Sequence, residues 1–255
     1  MSNILAIARK ELRSYFASPI GYVLVGLWAF LFGYFYYFIL EAFVRSSMQM
    51  PGMGGMQTMN INQDLLRPLM YNATILVLFV LPGVTMRTYS EEKRSGTIEL
   101  LLTSPLTDFE IIMGKFLGAM ALYSIMLMVT WIHIGMLYLY GSPEWKPLVV
   151  AYLGLLLLGG CFIAIGLFIS SLTRNQVISF MVTFSIFLLL WVISWSANSA
   201  GPTTSEIIRY VSIVDQFDDF GKGVLDTTHL VYYVSFITFG LFLTAKSVDS
   251  ERWRG

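Results

Sequence analysis

Three groups of side chains have types and spacings that could do chemistry. In Glu91–Lys115, which reads EEKRSGTIELLLTSPLTDFEIIMGK, the carboxylates Glu91, Glu92 and Glu99 accompany Ile98, Leu101 and Leu102. A short helix with leucines on one side suits packing against another protein, not bond making. In a second group, Met48, Met50, Met53, Met56 and Met59 lie close together, and thioether sulfur is a soft ligand that suits Cu(I). No His or Cys accompanies them and Gly52–Gly55 leaves them unorganised, so an adaptable contact loop is the plainer reading. The third group is small. The histidines are His133 and His229 and the cysteine is Cys161, too little for a catalytic triad, a multi-histidine metal site or a disulfide framework. No catalytic residue is expected.

The elements that must position these residues are set by composition. The 255 residues are 56% hydrophobic and 13% charged, against about 45–50% and 25% in soluble domains, and the mean hydropathy is +0.68. Sixteen basic and sixteen acidic residues cancel and no basic tract occurs, which argues against a nucleic-acid partner. A membrane-crossing helix needs about 20 predominantly apolar residues. Six stretches qualify: Ile20–Phe43, Leu69–Met86, Ile111–Tyr140, Leu148–Ser170, Val177–Ser196 and Leu230–Ser247. The first is too long for a signal-peptide core and no cleavage site follows it, so it is expected to stay as a span. Six spans put both termini on one side. Arg9, Lys10, Arg13, Arg87, Lys93, Arg94, Lys115, Arg174, Lys246, Arg252 and Arg254 share that side, against Arg45, Arg67, Lys146, Arg209 and Lys222 on the other. The positive-inside rule then makes both termini, and Glu91–Lys115 with them, cytoplasmic.

Within Glu91–Lys115 the residues punctuate a helix. Tyr89–Arg94 is expected to continue the second span, Gly96 permits a sharp turn, and Thr97–Ser104 forms a short helix stopped by Pro105. Thr107–Glu110 has the form of a capping box opening the third span. The plainer reading is a loop whose Glu91, Glu92, Lys93 and Arg94 form a solvated face. Ahead of the first span, Ile4, Ala8, Leu12, Tyr15 and Phe16 recur at helical spacing with Arg9, Lys10 and Arg13 off the stripe, which predicts an amphipathic helix at the membrane interface. On the outer side, Ile207, Ile208, Val211 and Val214 space as a short helix ahead of an acidic stretch with Asp215, Asp218, Asp219 and Asp226. Half-helices dipping into the outer leaflet are expected there, with the acids read as a solvated rim. His133 in the third span is read as structural, hydrogen-bonded to a neighbouring helix, and Glu41 at the outer end of the first span as reaching the interface.

The order of residues in EEKRSGTIELLLTSPLTDFEIIMGK resembles the hallmark segment of ABC-2 type transporter permeases: an acidic-basic stretch, a Gly-Thr, a Glu-Leu-Leu run, a Pro and a Gly-Lys. The opening ARKELRSYFASPIGYV and the closing DQFDDFGKGVLDTTHLVYYVSFITFGLFLTAKSVDSERWRG resemble the gliding-motility-type permeases, including the type that serves nitrous oxide reductase maturation. The resemblance implies an all-α integral membrane protein with a single transmembrane domain over 1–255. Residues 1–19 would be the interfacial connecting helix, 87–110 the cytoplasmic coupling segment, and 197–229 the outer re-entrant segment. It implies that Thr97–Ser104 seats in a separate ABC ATP-binding subunit, with Glu91, Glu92, Gly96, Thr97, Ile98, Glu99, Leu101, Leu102 and Pro105 as the coupling residues. ATP and Mg would belong to that partner. In agreement, the phosphate-binding pattern G-x-x-x-x-G-K-[ST] does not occur around Gly221-Lys222, where Gly223 follows the lysine and Gln216 occupies the first glycine position. A second permease copy or a related permease, residence in the bacterial inner membrane and export of an unspecified substrate complete the expectation. Two other functions remain open: driving an extracytoplasmic partner without transport, and handling copper.

Overall fold

A computed structural model describes residues 2–49, 60–197, 201, 205–206, 208, 210 and 212–252. The described residues are mostly helical, with no strand among them. Helix α1 (Ser2–Ala17) is followed across Ser18 by α2 (Pro19–Gln49). A π-helical turn at Ile61–Leu66, capped by the Asn60 side chain on the Asn62 amide, leads into α3 (Arg67–Thr85). Two short helices follow, α4 (Ser90–Ser95) and α5 (Thr97–Leu102). Then come α6 (Asp108–Tyr140), α7 (Trp145–Leu172) and α8 (Gln176–Ala197), the five-residue α9 (Phe217–Gly221), and α10 (Thr227–Arg252).

Among the described residues, six helical segments are long and apolar enough to cross a membrane: Pro19–Met48, Ile61–Ser95, Asp108–Tyr140, Trp145–Leu172, Gln176–Ile193 and Thr227–Glu251. They coincide with the six expected stretches and run past most of their ends, because polar helix ends satisfy their own backbone hydrogen bonds as well as apolar ones do. Met48 lies at the end of α2, while Met50, Met53, Met56 and Met59 fall outside the described residues, as do Ile207 and Val211.

Helix α7 is the centre of the bundle. It packs against α3, α6, α8, α9 and α10, and its buried residues include Leu155, Leu158, Cys161, Phe162 and Leu167. By contrast α2, α8 and α10 bury few of their apolar side chains, as helices facing lipid or another membrane chain do. His133 of α6 lies beside Phe32 and Tyr36 of α2, with ring centroids 5.6 and 5.5 Å apart. That is interhelix ring packing, and among the described residues it does not include the expected hydrogen bond to a neighbouring helix.

Two ends of the bundle are organised differently. At one end, residues 212–223 fold back onto α7. Ile213, Val214, Phe217 and Phe220 are buried, and a Cβ at Gly154 would come within 2.6 Å of Phe220 Cβ. At the other end α1, α4, α5 and the last turns of α10 meet. Lys93 of α4 pairs with Glu251 of α10 at 2.7 Å, so both terminal helices share the end that carries α4 and α5.

Candidate functional site

The second span does not run unbroken into α4, contrary to the expectation for Tyr89–Arg94. Helix α3 ends at Thr85 and α4 starts at Ser90. The reason is a competing acceptor: Ser170 Oγ of α7 takes hydrogen bonds from the Tyr89 and Ser90 amides at 3.0 and 3.1 Å and donates to the Met86 carbonyl. With those amides drawn sideways, the helical ladder is interrupted between Thr85 and Ser90 and then restarts.

Helix α4 is then fixed on three sides. Glu91 accepts from Arg87 at 2.8 Å, Arg87 also donates to Ser18 Oγ, and Lys93 reaches Glu251. Gly96 ends α4 at φ 73° and begins α5. A left-handed residue strongly favours glycine, so the expected sharp turn is seated where its chemistry allows it. Helix α5 ends at Leu102, with Thr103 and Ser104 in turns before Pro105. The capping box is present in full: the Glu110 amide donates to Thr107 Oγ1, and Glu110 Oε2 accepts from the Thr107 amide.

Two expected contact residues point elsewhere. Ile98 is only 8% exposed and belongs to the core, so it anchors α5 to the bundle and is not offered to a partner. Glu92 is turned inward between two lysines, 2.9 Å from Lys115 and 3.6 Å from Lys10. What α5 presents outward is Thr97, Glu99 and Leu100, the last 73% exposed, followed by Thr103 and Pro105. Leu101 is half-buried, and the Leu102 side chain is outside the description. A helix has one inward face and one outward face; the buried Ile98 and half-buried Leu101 mark the inward one, and the exposed Leu100 lies on the other.

Beneath α5 lies a cluster that the sequence reading missed. Lys115, two turns into α6 and 1% exposed, is 3.1 Å from Glu11 of α1 and 2.9 Å from Glu92 of α4. Its ammonium also donates to the Thr88 carbonyl at 2.8 Å and lies 4.9 Å from the centre of the Tyr89 ring. A charge so deep needs this much compensation. The sequence carried the signal: Lys115 lies inside an apolar run, and Glu11 interrupts the apolar stripe of α1 three residues after Ala8 and one before Leu12.

Helix α1 does more than lie at an interface. It crosses α6 at Gly114 and Gly118, where an added Cβ would come within 2.6 Å of Ile7 Cβ and of Glu11 Cβ respectively. Small residues four apart let two backbones approach, as in membrane helix pairs generally. Tyr15 donates to the Val84 carbonyl at 2.9 Å, and burial pushes its hydroxyl well above its ordinary value, so it remains a donor. Asn3 reaches Glu110 at 3.1 Å, closing the contact at the start of α6.

The opposite end is also polar. Asp218 is held by Arg67 and Lys222, each at 2.7 Å, and Asp219 by Lys222 at 3.0 Å and His229 at 2.9 Å, while His229 Nδ1 meets Gln216. The expected solvated rim is therefore a paired network. At Asp218 burial opposes ionisation, but hydrogen bonds from Lys222 and Arg67 outweigh it and hold the carboxyl below its ordinary value. Hydrogen bonds from Lys222 and His229 do the same for Asp219, and Lys222 is raised by both aspartates. Glu41 pairs with Arg45 at 2.5 Å. Among the described residues no three His, Cys, Asp or Glu side chains gather as metal ligands would.

Comparison with known proteins adds an independent finding. The sequence model of the family described as "ABC-2 family transporter protein" matches residues 5–245. Two curated relatives are each 25% identical over 143 residues: the "Probable multidrug ABC transporter permease YbhR" of Escherichia coli strain K12 and that of Escherichia coli O157:H7. The match covers 55% of this chain and 38% of the length of each relative.

Proposed function

This chain belongs to the ABC-2 family of transporter proteins, and we propose that it is the permease subunit through which a separate ATP-binding subunit drives export across the bacterial inner membrane. The observation that carries the coupling role is the construction of α4–α5: a short helix held against the bundle by Ile98 and presenting Glu99 and Leu100 outward. An exposed leucine on an otherwise braced polar turn suits burial by a partner protein. The ATP-binding subunit seats on that face. Its closure on nucleotide pushes α5, and α4 carries the push to the ends of the second and third spans. The positive-inside balance supports a cytoplasmic side for α1, α4–α5 and both termini, and a second copy or a related permease covers part of the exposed membrane face of α2, α8 and α10. ATP and Mg belong to the partner subunit.

A second reading is favoured by one observation at the far end. Residues 212–223 are locked to α7 by Phe217 and Phe220, and Arg67–Asp218 ties them to the start of α3. Movement of α3 would thus reach the outer surface, as driving an extracytoplasmic partner requires and as the likeness to the gliding-motility and nitrous-oxide-reductase-maturation permeases suggests. The test is to purify the tagged chain expressed with its genomic neighbours and to assay ATPase activity in what is recovered. An ATP-binding subunit should co-purify with wild type and be lost with Leu100→Asp/Glu99→Lys. Recovery of the intact chain without any ATP-binding protein would refute the permease reading.

A further inference from the structure

We infer that Lys115 is a positioning residue that locks α1, α4 and α6 into one rigid unit, so that force entering at α5 reaches α1 through a buried ion cluster. The inference rests on the proposed reading of α5 as the point of input. In sequence α1 reaches α4 only by way of α2 and α3, a path too long to transmit a directed push. In space the two meet at a shared charge cluster: the buried Lys115 ammonium bridges Glu11 of α1 and Glu92 of α4, and the exposed Lys10 of α1 adds a looser contact to Glu92. Each arm of the cluster comes from a different element: Glu11 from α1, Glu92 from α4, and the Thr88 carbonyl from the break between α3 and α4, at 3.1, 2.9 and 2.8 Å.

The cluster is neutral as a whole. Lys115 faces two carboxylates, and Lys10, exposed and 3.6 Å from Glu92, supplies the second positive charge from the solvent side. Neutrality at this depth makes the closed arrangement stable and any separation of its members costly, because a displaced carboxylate leaves a buried cation half-compensated. A polar cavity of about 240 Å³ adjoins it, lined in part by Lys10, Glu11, Arg87, Glu91 and Glu92. The cavity lies on the Lys10 side of the cluster, while Lys115 stays covered. The crossing at Gly114 and Gly118 flanks Lys115 on α6, so α1 has no free space in which to slide while the ions hold.

The experiment uses the full chain expressed with its ATP-binding subunit, spin-labelled at Arg13→Cys on α1 and Thr103→Cys after α5; the native Cys161 is buried and does not compete for label. Pulsed electron paramagnetic resonance then reads the distance distribution without nucleotide and with a non-hydrolysable ATP analogue. The lysine should give one narrow distribution in both states. Lys115→Met should broaden it at least twofold, and Lys115→Arg, which keeps the charge, should restore the narrow form. A Met variant as narrow as wild type overturns the inference, and so does an Arg variant as broad as the Met variant, since shape rather than charge would then be acting. If Lys115→Met does not yield folded protein, Glu11→Gln carries the same labels, and an unchanged width there overturns the inference equally. Should no ATP-binding subunit be recovered with the unlabelled wild-type chain, the coupling reading fails, while the nucleotide-free widths still decide the role of Lys115.

Discussion

Gly114→Ala/Gly118→Ala puts methyl groups where α1 leaves no room. Each new Cβ would lie 2.6 Å from a carbon of Ile7 or Glu11, whereas carbons in contact settle at about 3.5–4.0 Å. Both obstacles are first side-chain atoms fixed to the α1 backbone, so α1 itself must retreat by about 1 Å. Overpacking of this kind costs about 1–3 kcal/mol. The retreat also moves Glu11 from 3.1 Å to roughly 4 Å from Lys115, a further Coulomb loss on the order of 1 kcal/mol at an effective dielectric of about 20. Hydrogen exchange of the α1 amides in lipid nanodiscs reads the result directly. Exchange across Ile4–Tyr15 should accelerate at least about fivefold, by the conversion of tenfold per 1.4 kcal/mol. Gly135→Ala is the matched control in the same helix, because nothing lies within 4 Å of its added Cβ. Equal α1 protection in the double variant and the control would refute the docked geometry of α1.

Ser170→Ala should leave the buried Tyr89 and Ser90 amides without their acceptor, at about 1–3 kcal/mol for each unsatisfied group; thermal unfolding should occur earlier and exchange should rise at those two amides but not in residues 212–223. Gly96→Ala forces an ordinary residue to φ 73°, at about 1–2 kcal/mol, so trypsin should cut faster after Arg94 than in wild type. The outer network gives a pH test. Asp218 and Asp219 have lowered values, so their stabilisation is full above about pH 4 and disappears as pH falls through those values. Lys222 is raised, so its contribution is full below about pH 10.4 and is lost as pH climbs through its higher value. The difference in melting temperature between wild type and Asp218→Asn/Asp219→Asn should therefore persist from pH 5 to pH 8 and shrink under acid; a difference independent of pH would contradict the pairing.

What the sequence made legible was what local chemistry decides. Apolar run length marked the six spans, and the glycine at 96 and the Thr107–Glu110 box marked the turn and the restart, because each needs only residues near in sequence. What it hid depends on distant residues. The break after Thr85 needs Ser170, which lies 80 residues beyond Ser90. The inward turn of Glu92 needs Lys115, and the burial of Ile98 needs the bundle against which it packs. Treating Lys115 as one more basic residue near a membrane surface, useful only for orientation, discarded the strongest clue: a cation within an apolar run must have partners, and Glu11 on an apolar stripe was the matching clue on α1.

Photo-crosslinking from Leu100 in living cells tests the central claim most directly. Leu100 and Leu139 are 73% and 78% exposed at opposite ends of the bundle, so a photoreactive amino acid at either is tolerated equally by the fold. The account predicts that Leu100 captures an ATP-binding subunit and that Leu139 does not. Capture of lipid alone at Leu100, or of the same proteins from both positions, would contradict it.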